Sequence, residues 1–84
     1  MYFYFVKYNT LVPEREIKNI SVSPYEHSEE FGIEFLFANG GGMCMFGKFS
    51  KDGAAEYLDW LADQIGMGKT IVHIDLKLEG GHKW

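Results

Sequence analysis

One cysteine, two prolines and one arginine are all that this chain of 84 residues holds of those types. Each scarcity excludes something. Cys44 has no partner for an internal disulfide, so a domain this small must be held by its core or by self-association. The missing disulfide framework fits a reducing compartment, and a cytoplasmic protein is expected. Arg15 stands without a basic cluster around it, and 12 acidic residues against 8 basic ones give a formal charge of -4. A phosphate backbone would be repelled, so direct nucleic-acid binding is not expected. Long hydrophobic runs are also absent. The opening MYFYFVKY is apolar only as far as Val6 and has no basic lead-in, too short for a signal peptide or a membrane span.

What is abundant is aromatic: 17% of the residues are Phe, Trp or Tyr. Residues 2 to 9 predict a first strand, with Tyr2, Tyr4, Val6 and Tyr8 on one face and Phe3, Phe5 and Lys7 on the other. Two largely apolar faces place it in the middle of a sheet. A turn is expected over residues 10 to 14 around Pro13. A polar edge strand follows over 15 to 23, ended by Pro24. After a polar loop, residues 31 to 38 and 43 to 49 predict a hairpin around Asn39-Gly40-Gly41-Gly42. Residues 70 to 79 predict a last strand, Val72, Ile74, Leu76 and Leu78 inward, with 80 to 84 as a tail.

Between hairpin and last strand, Ser50 to Gly66 predicts the one helix, capped by Ser50 or Asp52 and closed at Gly66. Ala54, Leu58, Leu61 and Ile65, flanked by Ala55 and Ala62, form an apolar stripe for the sheet. Asp52, Glu56, Asp59 and Asp63 form a second, acidic stripe, with Trp60 and Tyr57 between the two. The expected fold is α+β: a five-stranded, mostly antiparallel sheet in the order β-β-β-β-α-β, with one helix on one face and a single domain over 1 to 79. The helix would make a crossover within that sheet. The other face would be solvated or meet another molecule.

No pattern names a reaction. Gly66-Met67-Gly68-Lys69-Thr70 imitates the end of a phosphate loop but has Asp63 where the first glycine belongs, and it follows a helix instead of preceding one. Asn39 to Gly42 serves a hairpin more simply than an anion nest. Glu26, His27, Glu29 and Glu30 lack the spacing of a structural zinc site. Cys44, His73 and Asp75 would make a thiolate site only if the sheet brought them together, and Cys44 sits in an apolar Met-Cys-Met-Phe run. Neither a cofactor nor a metal is expected.

The acidic stripe is the most informative feature. Like charges at i, i+4 cost a helix about 0.2–0.5 kcal/mol per pair, and Asp63 lies at the end where the helix dipole disfavours it. Solubility is one explanation and a docking surface the other. The expected function is a small, acidic, non-enzymatic protein-binding module whose Asp52, Glu56, Tyr57, Asp59, Trp60 and Asp63 meet a protein with a basic surface. An inhibitor of a nucleic-acid-binding protein, its acids standing in for phosphates, is the sharpest form of that expectation. No motif ties the chain to a family; phage-encoded inhibitors of host nucleic-acid machinery are an analogy of size and charge only. Two alternatives are a homodimer or larger homo-oligomer packed through aromatic sheet faces, and a small enzyme or ligand binder using Cys44, His73 and Asp75.

Overall fold

Alternation of large apolar and polar side chains builds two sheets in this chain, not one. In the computed structural model, which describes residues 1–81, the elements are β1 (Tyr2–Phe5), β2 (Thr10–Pro13), β3 (Ile17–Pro24), β4 (Phe31–Phe37), β5 (Met43–Phe49), α1 (Lys51–Gly66), β6 (Ile71–Ile74) and β7 (Leu78–Gly81). The α+β class is as expected. The strands divide into a mixed three-stranded sheet, β2-β1-β6, and an antiparallel four-stranded sheet, β3-β4-β5-β7.

Two local events cause the division. The first strand ends at Phe5, because Val6–Tyr8 wind into a 3-10 turn and Asn9 takes a left-handed φ of 47°. Asparagine tolerates that conformation, and the Tyr4 hydroxyl donates to its Oδ1 at 3.0 Å. The chain turns back there, so Thr10–Pro13 is a strand paired with β1 and not the expected turn. Pro13 is accommodated because β2 is an edge. The second event lies in the long last strand. Val72 and Ile74 run parallel to β1, beside Phe3 and Phe5. Residues 75 to 77 then carry the chain across to β5, where β7 pairs antiparallel. Gly80 and Gly81, expected in a tail, belong to β7; residues 82 to 84 lie outside the described residues.

The inner faces of the two sheets meet through Phe3, Phe5, Phe35 and Phe46. Phe5 stacks on Phe46 at 4.9 Å between ring centroids, and Phe35 meets Phe5 edge-on at 5.2 Å and Phe46 at 5.4 Å. Helix α1 joins β5 of one sheet to β6 of the other, so it is not a crossover within one sheet. It adds Ala54 and Leu61 to the same core, with Tyr57 and Ile65 packed against it. Ser50 caps its start, accepting from the Gly53 N–H at 3.1 Å. Gly68, at φ +70°, takes the left-handed position after the helix; Gly66 is still helical.

Two tyrosines bind the sheets at their margins. The Tyr8 hydroxyl accepts from the Leu78 N–H at 2.6 Å, tying the β1–β2 turn to β7. Tyr25 lies over Gly32 on the outer face of the larger sheet and donates to the Gly47 carbonyl oxygen at 2.6 Å. Gly47 is itself a bulge residue: it has φ +75°, its N–H donates to the Lys77 carbonyl oxygen at 2.8 Å, and an added Cβ would come within 2.5 Å of the Phe49 ring. Gly47→Ala therefore places a side chain both in the left-handed region and against a ring. Urea denaturation should show a loss of about 2 kcal/mol; a loss below about 0.5 kcal/mol would mean the bulge relaxes freely.

Candidate functional site

The exposed side of α1 carries the expected acids. Asp52, Glu56, Asp59 and Asp63 are all exposed, and so are Ala55 and Ala62, which the apolar stripe was expected to include. Residues 52, 55, 56, 59, 62 and 63 therefore share one solvent face, with short alanines between the carboxylates. The buried stripe runs through Ala54, Tyr57, Leu61 and Ile65 instead, and Leu58, expected within it, is half-buried. Trp60 is 42% exposed, and the helical spacing places it beside Glu56 and Asp63. The last turn of the helix holds no basic residue.

Tyr57 does not share that surface on equal terms. Its ring packs between Phe49, at 5.7 Å, and Trp60, at 5.3 Å. Tyr57, expected between the two stripes, is half-buried and supports Trp60 from behind. A tyrosine can bury its ring as readily as a leucine, and position 57 is one turn from both Ala54 and Leu61. Its hydroxyl is buried with no hydrogen-bond partner among the described residues. Burial, and then the nearby Asp75 carboxylate, push its pKa up to about 12. Tyr25 is raised to about 12 as well, first by burial and then by Glu79 and Glu30.

The Cys44, His73 and Asp75 constellation is not assembled. Cys44 is buried in the aromatic core between the sheets, and that burial raises its thiol pKa. His73 is exposed on the opposite side of the smaller sheet, edge-on to Tyr4 at 5.6 Å. Asp75 lies beyond the end of β6, 3.6 Å from the Lys7 ammonium. Burial that raises the thiol pKa works against the thiolate that such chemistry needs.

The other motifs resolve into backbone structure. The Met67 N–H donates to the Asp63 carbonyl oxygen at 3.0 Å and the Gly68 N–H to that of Ile65 at 3.1 Å, so these amides close the helix. Asn39, Gly40 and Gly42 take left-handed conformations in the hairpin loop, which the Phe37 N–H closes on the Gly42 carbonyl oxygen at 2.8 Å. Glu26, His27, Glu29 and Glu30 are all exposed, and no group of three or more potential metal ligands occurs among the described residues. No described helix is long and apolar enough to cross a membrane.

One surface was only half legible in the sequence. On the outer face of the smaller sheet, Tyr2, Leu11 and Ile71 are 39%, 51% and 41% exposed, with Tyr4, Pro13 and His73 beside them. The tyrosines of β1 pointed to such a face, but Leu11 lay in the supposed turn. Fold and surface together define a small α+β protein with an acidic helical face. No protein-family model, no curated protein and no solved structure matches the chain.

A buried hydroxyl without a partner carries a desolvation cost, so Tyr57→Phe should stabilise the protein, by about 1 kcal/mol at neutral pH. The raised tyrosine pKa values fix the sign in alkali. Their contribution is fully present below pH 10, the usual value for tyrosine, and is lost as the pH rises towards about 12. Denaturation midpoints measured from pH 8 to 12 should fall above pH 10, and less steeply in Tyr57→Phe. Equal slopes for the two proteins would show that Tyr57 ionises normally.

Proposed function

We propose that this protein is a non-enzymatic binding module whose acidic helical face docks onto a basic surface of another protein, the inhibitor of a nucleic-acid-binding protein being its most specific form. The observation that carries this reading is the unbroken exposure of Asp52, Glu56, Asp59 and Asp63 on a helix clamped to the core by Ala54 and Leu61. Carboxylates on a rigid scaffold occupy a phosphate-binding site without paying the ordering entropy of a flexible acidic tail. The exposed edge of Trp60, backed by Tyr57, supplies an aromatic anchor beside the charges. Local helix energetics do not account for the pattern, since like charges at this spacing oppose the helix.

The test uses matched baits. Wild type, Asp59→Asn/Asp63→Asn and Trp60→Ala are immobilised against lysate of the native host, and retained proteins are identified and titrated. The expected result is a basic partner held by wild type with salt-sensitive affinity. Trp60→Ala should weaken it by about 2 kcal/mol without unfolding the domain. The double Asn variant should bind more weakly and with a flatter salt dependence. Equal retention by all three proteins would leave the stripe as a solubility feature.

The second reading, self-association through an aromatic sheet face, draws on Tyr2, Leu11 and Ile71. A face of three four-residue strands measures about 14 by 13 Å, on the order of 200 Å². Stable interfaces bury about 800 Å² on each partner. That face alone therefore supports weak association. Sedimentation should show a monomer at about 10 μM and concentration-dependent growth only towards millimolar, abolished by Leu11→Lys. A dimer stable at micromolar concentration would make the homo-oligomer the primary reading.

A further inference from the structure

The outer face of the larger sheet carries an apolar strip among polar residues. The apolar and glycine positions that alternate away from the core are Gly32 and Leu36 on β4, Met43 and Met45 on β5, and Gly80 on β7. Polar residues on the same face are Asn19, Ser21 and Ser23 on β3 and Glu34 on β4, with the Lys48–Glu79 pair beside Tyr25. Met45 is 5% exposed, yet it stands apart from the main hydrophobic cluster.

Tyr25 shapes this face. Its ring lies where a Cβ on Gly32 would be, and its hydroxyl is fixed to the Gly47 carbonyl oxygen. It thereby stands as a rigid ridge with a hollow on each side. One hollow, of about 320 Å³, has Met43, Met45 and Gly80 in its lining and Glu26 and Glu34 among its polar groups. The other, of about 210 Å³, is lined by Glu26, Glu30 and Glu79, with Lys48 as the cation. Lys48 is paired with Glu79 at 3.7 Å, and Glu34 accepts from the Ser23 hydroxyl at 3.2 Å. Two carboxylates, Glu26 and Glu34, thus border the thioether-lined hollow without a cation in its lining, and the hollow across Tyr25 holds Glu26, Glu30 and Glu79 against the one ammonium of Lys48.

We infer that this groove is a second docking site, for a short protein segment carrying an apolar side chain next to lysine or arginine. Methionine side chains adapt to apolar groups of varied shape, so Met43 and Met45 receive the apolar residue. The depression is close to the lower limit of about 300 Å³ for small-ligand pockets, enough for one large side chain and not for an extended ligand. The carboxylate excess on both sides of Tyr25 selects a cationic neighbour. Because Tyr25 is hydrogen-bonded to backbone and seated on a glycine, the groove is preformed. Nothing here depends on the acidic helix: the two sites share only the sign of the charge they attract.

The test labels the methionine methyl groups with carbon-13 and titrates the full chain with a blocked hexapeptide holding one leucine beside two arginines. Its twin has glutamates for the arginines. The Met43 and Met45 methyl signals should shift saturably with the basic peptide and not with the acidic one. Met67, at the end of the helix, reports on the other site and should not follow the same curve. Glu26→Gln/Glu34→Gln should weaken the basic peptide about tenfold at low salt, with little difference left at about 0.5 M salt.

Unmoved Met43 and Met45 signals at millimolar peptide would overturn the inference, as would equal response to the acidic twin or equal affinity of the double variant. Shifts confined to Met67 and the Trp60 indole would overturn it while leaving the helical docking reading intact. Changes in Met43 and Met45 on dilution alone would identify a second copy of this chain as the occupant and would also overturn it.

Discussion

The stack of Phe5 on Phe46, with Phe35 set edge-on to both, is the contact on which the rest of the molecule depends. Phe5 comes from the smaller sheet and the other two from the larger, so these rings are where two sheets become one core. Offset and edge-on ring pairs contribute about 0.5–1.5 kcal/mol each beyond the area they bury. Removing four phenylalanine side chains from water stabilises the fold by more than the ring geometry does. A 16-residue helix has room to cover only part of one sheet. The smaller sheet completes that cover, and the aromatic load of the chain is absorbed between two sheets.

The surface follows from the same arrangement. With Ala54 and Leu61 committed to the core, the opposite side of α1 must face water, and the acids there are held on a stiff rod. The smaller sheet uses its inner face for Phe3, Phe5, Val72 and Ile74, which leaves Tyr2, Leu11 and Ile71 outside. The larger sheet does the same, and Tyr25 folds over part of what remains. Three separate surfaces of distinct chemistry thus surround a single core. The residues able to support covalent chemistry are scattered by that core, with Cys44 inside it and His73 on its far side.

Sequence reading reached the elements whose signals are local. The hairpin of β4 and β5 was legible from Asn39-Gly40, the helix from its apolar period and Ser50, and the edge position of β3 from its polar residues. The central place of β1 in its sheet followed from its two apolar faces. The acidic face was legible too, because exposure on a helix follows from a period of 3.6 once the buried stripe is known. Ala55 and Ala62 fell outside the buried stripe because alanine satisfies an apolar period without needing burial. The turn at Asn9 was missed because a single asparagine between Tyr8 and Thr10 is a weaker signal than a glycine or a proline.

The order of the amino acids dictated which residues alternate inward and where the chain can bend sharply. It left open which sheet each strand joins. A period of two encodes burial, and Val72, Ile74 and Leu78 satisfy it equally whether they pack in one long strand or, as here, in two strands of different sheets. That choice was made by contacts far apart in sequence. The Leu78 N–H donates to the Tyr8 hydroxyl across 70 positions, and the Tyr25 hydroxyl donates to the Gly47 carbonyl oxygen across 22. Such hydrogen bonds exist only once the core has brought their partners together, so no local pattern announces them.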